Sequence, residues 1–208
     1  MKNVTKIVKM IAAVGLIAST AACTTVETAS RALPIDAPLA GAQFSPEPIY
    51  IQPDFKVVDI NVSVPKSLTV SEANTYKPNA DIVWRGDSYG NRYEQVQAVL
   101  ETGLAAGVQS FDGAQEVVLD VQLVQFHAQT EKVRYTFGGE HEIIFAMTVR
   151  DAQTGATVVP LHFVDATFKA LGGIAAVNAE KAGVTQKVRI VERLAEVIST
   201  ELQQPYTF

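Results

Sequence analysis

A single cysteine, Cys23, stands among the 208 residues. An intramolecular disulfide is therefore excluded, and with it the small disulfide-framework folds of secreted proteins. Long apolar runs are also missing. The longest uncharged stretch, Met10 to Val26, which contains "MIAAVGLIASTAAC", falls short of the about 20 residues that a membrane-spanning helix requires. Basic residues are outnumbered, 17 Lys and Arg against 22 Asp and Glu for a net charge of −5, and they form no cluster. A nucleic-acid binder neutralises phosphates with a basic surface, so that class of partner is excluded. No nucleophile elbow, phosphate loop or dinucleotide fingerprint is assigned. "HEIIF" is not the zinc-protease motif H-E-x-x-H, because Phe145 stands where the second imidazole would have to reach the metal.

What is present begins with Lys2, Lys6 and Lys9 ahead of that apolar run, the basic segment, short apolar stretch and small-residue end of a secretory signal. The run closes on Thr20-Ala21-Ala22-Cys23, which resembles the lipobox of bacterial lipoproteins except at Thr20, where leucine is usual. The resemblance implies cleavage before Cys23 and a palmitate-type acyl anchor on it. Several acyl chains, each buried methylene contributing about 0.8 kcal/mol, hold far more firmly than one. Thr24 rather than an aspartate follows, which resembles an outer-membrane sorting signal. The expected location is the periplasmic face of the outer membrane, with inner-membrane anchoring as the alternative. Loss of residues 1–22 removes three lysines and no acid, which takes the net charge from −5 to −8.

Residues 23–53 carry Pro34, Pro38, Pro46, Pro48 and Pro53, five of the nine prolines, among Ala, Ser and Thr. Such a composition favours extended chain and reads as a tether, though "EPIYIQP" is apolar enough to dock as an edge segment instead. The expected organisation is a signal over 1–22, an acylated cysteine and tether over 23–53, and one domain over 54–208.

In that domain "VVDINVSVP" alternates Val58, Ile60, Val62 and Val64 with polar residues, the pattern of a half-buried strand. "DIVW" predicts a short strand, and Asn91 with Glu94 predicts a capping box opening a helix with Tyr93, Val96, Leu100 and Leu104 on one stripe and Gly107 as its stop. "EVVLDVQLVQFH", "HEIIFAMTVRD" and a segment from Thr157 predict three more strands, with Pro160 marking an edge or a bulge. A last helix is expected from Thr185 to Leu202, with Val184, Val188, Val191, Ile198 and Leu202 near one face. The sum is an α+β domain: a mainly antiparallel sheet of about five strands with two amphipathic helices on one face.

"FHAQTEKVRYTFGGEH", Phe126 to His141, concentrates His127, Arg134, His141 and a Gly-Gly pair between two strands. It reads as a strand connection in which Gly138 and Gly139 permit the bend. A metal site of His127, His141 and Glu142 is the competing reading, but zinc needs three or four converging ligands and only two histidines are near. "DIVWRGD" sets Trp84, Arg85 and Asp87 side by side, either a stacking and acid/base surface or a core tryptophan beside a polar helix entry. Trp84, Arg85, Asp87, His127, Arg134 and His141 are the binding-surface candidates. No catalytic residue, metal or cofactor is assigned.

"SEANTYKPNADIVWRGD", "FHAQTEKVRYTFGGEHEIIF" and the lipobox together resemble an uncharacterised family of bacterial envelope lipoproteins, a domain of unknown function. The order of elements is more distantly similar to lipopolysaccharide-assembly and transporter-auxiliary lipoproteins. That likeness is one of topology and brings no activity with it; the expected function is a non-enzymatic accessory or binding lipoprotein of envelope maintenance, assembly or transport, with the membrane and an envelope protein as partners. The alternative is a hydrolase or metal-dependent enzyme acting on envelope material.

Overall fold

The structure, a computed structural model, describes residues 49–207. After a two-residue strand, Tyr50–Ile51 (β1), the chain enters Phe55–Ser63 (β2). The expected alternation holds from Ile60 onward, but Val58 is exposed. The pairing register skips from Val57 to Asp59, which makes Val58 the extra residue of a bulge. A bulge reverses the phase of the strand, so Phe55 and Val57 before it and Ile60, Val62 and Val64 after it all join the core.

Ile82–Val83 (β3), Arg92–Val108 (α1) and Gln115–His127 (β4) follow. Both β2 and β3 pair with β4 in parallel, end to end along one side: β2 against Gln115 to Gln122, β3 against Phe126 and His127. Gly139–Asp151 (β5) pairs antiparallel with β4, and Thr157–Asp165 (β6) and Phe168–Ala170 (β7) pair antiparallel with β5. The sheet is therefore mixed and six-stranded, ordered β2-β4-β5-β6 with β3 and β7 extending its flanks. This corrects the mainly antiparallel sheet of about five strands. Its cause is α1: a chain that returns to the sheet through a covering helix arrives in the original direction, whereas a hairpin reverses it. Pro160 lies on the outer strand, where the register slips between His162 and Val159, so the edge and the bulge are both present.

Four helices are present among the described residues instead of two: α1, the single turn Glu131–Arg134 (α2), Gly173–Lys181 (α3) and Gln186–Glu201 (α4). The two that fill the core, α1 and α4, lie on one face of the sheet as expected. Val96, Val99, Leu100 and Leu104 of α1 and Ile190, Leu194 and Ile198 of α4 meet Val117, Leu119, Val121 and Leu123 of β4 and Ile143, Phe145, Met147 and Val149 of β5 in one cluster. The stripe on α4 is thus set by Ile190; Val184 and Val188 are exposed and Val191 only partly buried. Gly107, read as a helix stop, sits inside α1. A Cβ there would lie 2.3 Å from the Ala195 carbonyl oxygen, and one at Gly103 would lie 2.6 Å from Leu194 Cβ, so these glycines let α4 approach. Asn91 is the N-cap of α1, but its side chain makes no capping hydrogen bond. Thr185 does cap α4, its hydroxyl accepting from the Val188 N–H at 3.3 Å.

A second bulge, at Val124, turns β4 again: Phe126 enters the core opposite Ile143, while His127 joins Glu142 on the other face. Among the described residues no helix covers that other face along Asn61, Asp120, Gln122, Ala146, Thr148 and Arg150, which border an open groove of about 300 Å³. At the chain's entry, Tyr50–Ile51 pairs antiparallel with Tyr206–Thr207 (β8) in a separate two-stranded sheet, so this part of "EPIYIQP" is paired with the end of the domain rather than with the main sheet.

Candidate functional site

The polar candidates separate into two clusters. The first surrounds Trp84, which is fully buried, meets Phe126 edge-on at 5.5 Å and donates its indole N–H to Asp87 Oδ2 at 2.8 Å. Asp87 also receives Lys187 Nζ at 2.9 Å, tying the entry of α1 to α4. Burial pushes its carboxyl up, but the hydrogen bonds from Lys187 and Trp84 prevail and leave it below the ordinary range. Arg85 reaches Glu131 at 3.0 Å and Glu72 at 3.4 Å, and the buried Arg92 holds the same Glu72 through Nε at 2.6 Å and Nη2 at 3.0 Å. The Arg92 hydrogen bond holds Glu72 well below the usual carboxylate range. Arg134 pairs with Glu180 at 2.9 Å and donates to Gln186 when that amide turns its oxygen toward the guanidinium. Trp84, Arg85, Asp87 and Arg134 therefore come together, as a lock joining α1, α2, α3 and α4 rather than as an open surface.

Next to this lock is His141, on the helix side of β5, only 1% exposed and tilted against Phe168 at 4.9 Å. Its Nδ1 is buried without a hydrogen-bond partner. Burial, with repulsion from Arg189 and Arg134, pushes its pKa down to about 3. The adjoining cavity, lined by Gln129, Arg134, His141, Gln186 and Arg189 among others, is about 10 Å³, room for one water and too small for a cofactor.

The second cluster lies across the sheet. His127 Nδ1 is 3.3 Å from Glu142 Oε2, which also accepts from Gln125 at 3.0 Å, while Lys77 holds Glu142 Oε1 at 3.1 Å. Burial raises the Glu142 carboxyl, but Lys77 and His127 pull it below its ordinary value. His127 Nε2 is buried and has no partner. Lys77, His127 and Glu142 floor a cleft of about 230 Å³ whose walls include Tyr76, Pro78, Thr130, Phe137 and Gly138. Tyr76 and Phe137 stack at 5.2 Å although 53% and 73% exposed. The two walls are pinned together, Thr130 Oγ1 donating to the Thr75 carbonyl at 2.8 Å and Lys132 N–H to Asn74 Oδ1 at 2.8 Å.

The bulge at Val124 and the strand period thus send His127 and His141 to opposite faces, so the stretch from Phe126 to His141 does not assemble a site from its own two histidines. Among the described residues no three His, Cys, Asp or Glu side chains converge as a metal would need. The expected bend is there, with Gly138 at φ +80° and its backbone against Gly172, where a Cβ would lie 2.1 Å from the Gly138 nitrogen. The connection also contains α2, which Thr130 caps by accepting from Val133 N–H at 3.3 Å. Cys23, the expected lipidation site, lies outside the described residues.

Sequence reasoning missed Tyr76 and Phe137, which are far apart in the chain and have no local pattern. It also passed over a literal match: Gly86-Asp87-Ser88-Tyr89-Gly90 spells G-x-S-x-G between β3 and α1. The structure gives those residues another use. The Ser88 carbonyl accepts from Arg92 at 3.2 Å and Gln95 at 2.9 Å, no hydrogen bond links Ser88 to a histidine, and Ser88 lines neither the His127 cleft nor the His141 cavity. A nucleophile elbow requires an adjacent base, and here the pentapeptide is a helix-entry turn.

The molecule is an α+β domain with one filled layer between sheet and helices and a polar cleft at the end of the opposite face; among the described residues no helix is long and apolar enough to cross a membrane. The chain belongs to the family of unknown function DUF6778, whose model matches residues 55–208. It is similar to a solved protein of family DUF330 from Xanthomonas campestris at 11% identity, covering 75% of this chain and 87% of that one with a TM-score of 0.41. It is similar also to a candidate lipoprotein from Caulobacter crescentus CB15 at 17% identity, covering 69% and 87% with a TM-score of 0.30. A third likeness is to the PelC dodecamer subunit of Paraburkholderia phytofirmans, at 16% identity, covering 76% and 94% with a TM-score of 0.30. No curated protein matches the chain.

Proposed function

We propose that this protein is a lipid-anchored accessory lipoprotein of the bacterial envelope, held through Cys23 at the periplasmic face of the outer membrane and acting by docking an envelope protein rather than by catalysis. One observation carries the docking role: among the described residues the core helices cover one face of the sheet, and on the other face the outer strand β6 exposes Leu161 at 65% and Phe163 at 68%. Large apolar side chains grouped on an unlayered sheet face mark an interaction surface. The lipobox resemblance supplies the anchor, and the engagement of Trp84, Arg85, Asp87 and Arg134 in internal bonds supports a non-catalytic reading.

The test is a photo-crosslinking amino acid placed at Phe163 and, separately, at the exposed Glu192 of α4 in the full chain in cells. An envelope-protein adduct from position 163 and none from 192 is expected. Adducts of equal yield from both positions, or from neither, would refute docking through this face. The enzyme reading would have to use His127 and Glu142, and turnover of envelope material by the purified full chain, abolished in Glu142→Gln, would establish it instead.

A further inference from the structure

We infer that the cleft beside His127 is a saccharide-binding site, taking one pyranose ring of a neutral or zwitterionic envelope glycan against Phe137. The site is separate from the proposed docking strand, since Phe163 pairs with Ala146, four residues along β5 from Glu142, and neither Phe163 nor Leu161 lines the cleft.

Four features converge on this ligand class. At about 230 Å³ the cleft is smaller than the roughly 300–1,000 Å³ that drug-sized ligands fill, which suits a single ring of a polymer. Its wall is an aromatic stack that packing does not require. Lys132 Nζ sits 4.3 Å from the Tyr76 ring centroid, while Phe137, the more exposed partner, offers a flat apolar platform. An aromatic face buries the C–H face of a sugar ring while leaving its hydroxyls at the edges free to bond. The floor supplies what those hydroxyls need: the Glu142 carboxylate as acceptor, Lys77 as donor, and a His127 side chain nine-tenths buried whose Nε2 has no protein partner. The acidic lining residues, Glu140 and Glu142, outnumber the basic one, Lys77, and Lys132 lies against the Tyr76 ring, which disfavours a polyanion.

Placement and rigidity fit as well. The hydrogen bonds from Thr130 to Thr75 and from Lys132 to Asn74 fix the two walls before any ligand arrives, so little ordering cost is left for binding. The chain enters the sheet at Phe55, opposite Gln115, and the cleft lies at the other end of β4.

The test is calorimetry and saturation-transfer NMR on the detergent-solubilised full chain with N,N′,N″-triacetylchitotriose as the probe. Saturable binding is expected, weakened at least tenfold in Phe137→Ala and in Glu142→Gln and unchanged in Phe163→Ala. Thermal melts of each variant exclude loss of fold, and Phe137 is exposed enough for its truncation to be tolerated. The inference is overturned by no saturable binding, by equal affinity in Phe137→Ala, or by an apolar peptide that occupies the cleft while the trisaccharide does not.

Discussion

His141 sets a pH dependence that can be worked through. In the folded domain its pKa is pushed down to about 3, because burial beside Arg134 and Arg189 opposes a charged imidazole. In the unfolded chain the same side chain titrates near 6.5. Between these values the unfolded state binds a proton that the folded state refuses, so stability rises with pH in that window and falls as acid is added. The slope approaches about 1.4 kcal/mol per pH unit, and from pH 6.5 to 4.5 the loss is about 2.5 kcal/mol, a large part of the roughly 5–15 kcal/mol that holds a domain folded. Glu72, Asp87 and Glu142, held below their ordinary values, lose their contributions only further down, as pH falls through and below about 4. The assay is urea unfolding of the wild type and of His141→Phe, a ring of similar size with no proton to take up, at half-unit steps from pH 7.5 to 4.5. The difference between the two stabilities should be constant above pH 7 and shift in the variant's favour by about 2.5 kcal/mol on reaching pH 4.5. Parallel curves through the whole range would show that His141 accepts a proton in the folded state and that the burial argument fails.

Other outcomes follow from particular contacts. Cys23→Ser should leave the precursor unprocessed or release the protein from the membrane fraction; normal processing with continued sedimentation in the membrane fraction would count against the anchor. Leu100→Ala and Ile198→Ala should each cost about 2–5 kcal/mol in chemical denaturation, while Val188→Ala and Glu192→Ala stay within about 0.5 kcal/mol; equal losses would mean that the inward face of α4 is assigned wrongly. Gly172→Ala should lower the melting temperature, since its Cβ would press on the Gly138 backbone, and should do so more than Gly155→Ala, whose Cβ meets nothing within 4 Å. The Gly155 site has φ +72°, so its own smaller loss measures backbone strain without collision.

The alternating residues of β4 and β5 were legible because one face is covered and the other is not, which imposes period two on Val117 to Leu123 and Ile143 to Val149. What escaped was set by single residues. Val58 and Val124 are chemically ordinary valines, and nothing about them announces a bulge, yet they decide which neighbours face the helices and, at Val124, why His127 and His141 part company. The inward stripe of α4 was misplaced because Val188, Val191 and Ile190 are equally apolar; the choice among them depends on where α1 lets the helix in. The parallel pairing of β2 with β4 was available in principle, since α1 separates them in the chain. The candidate polar residues were found as individuals but not as clusters, because their partners Glu72, Glu131, Glu180 and Lys187 come from segments brought together only by the fold.

The glycine seam between α1 and α4 also governs the order of folding. Gly103 and Gly107 leave a slot whose filler, Leu194 with Ala195, is made after every strand of the main sheet. Until α4 arrives, Val96, Leu100 and Leu104 have no cover on that side, and closing the core requires a contact between segments separated by most of the domain's length. Such long-range closure is slow relative to local helix or hairpin formation. A nascent chain that ends before Gln186 should therefore remain protease-sensitive and loosely packed. Completion of α4 should then close the core in a late step, with Leu194 and Ala195 seated against the two hydrogen-only side chains of α1.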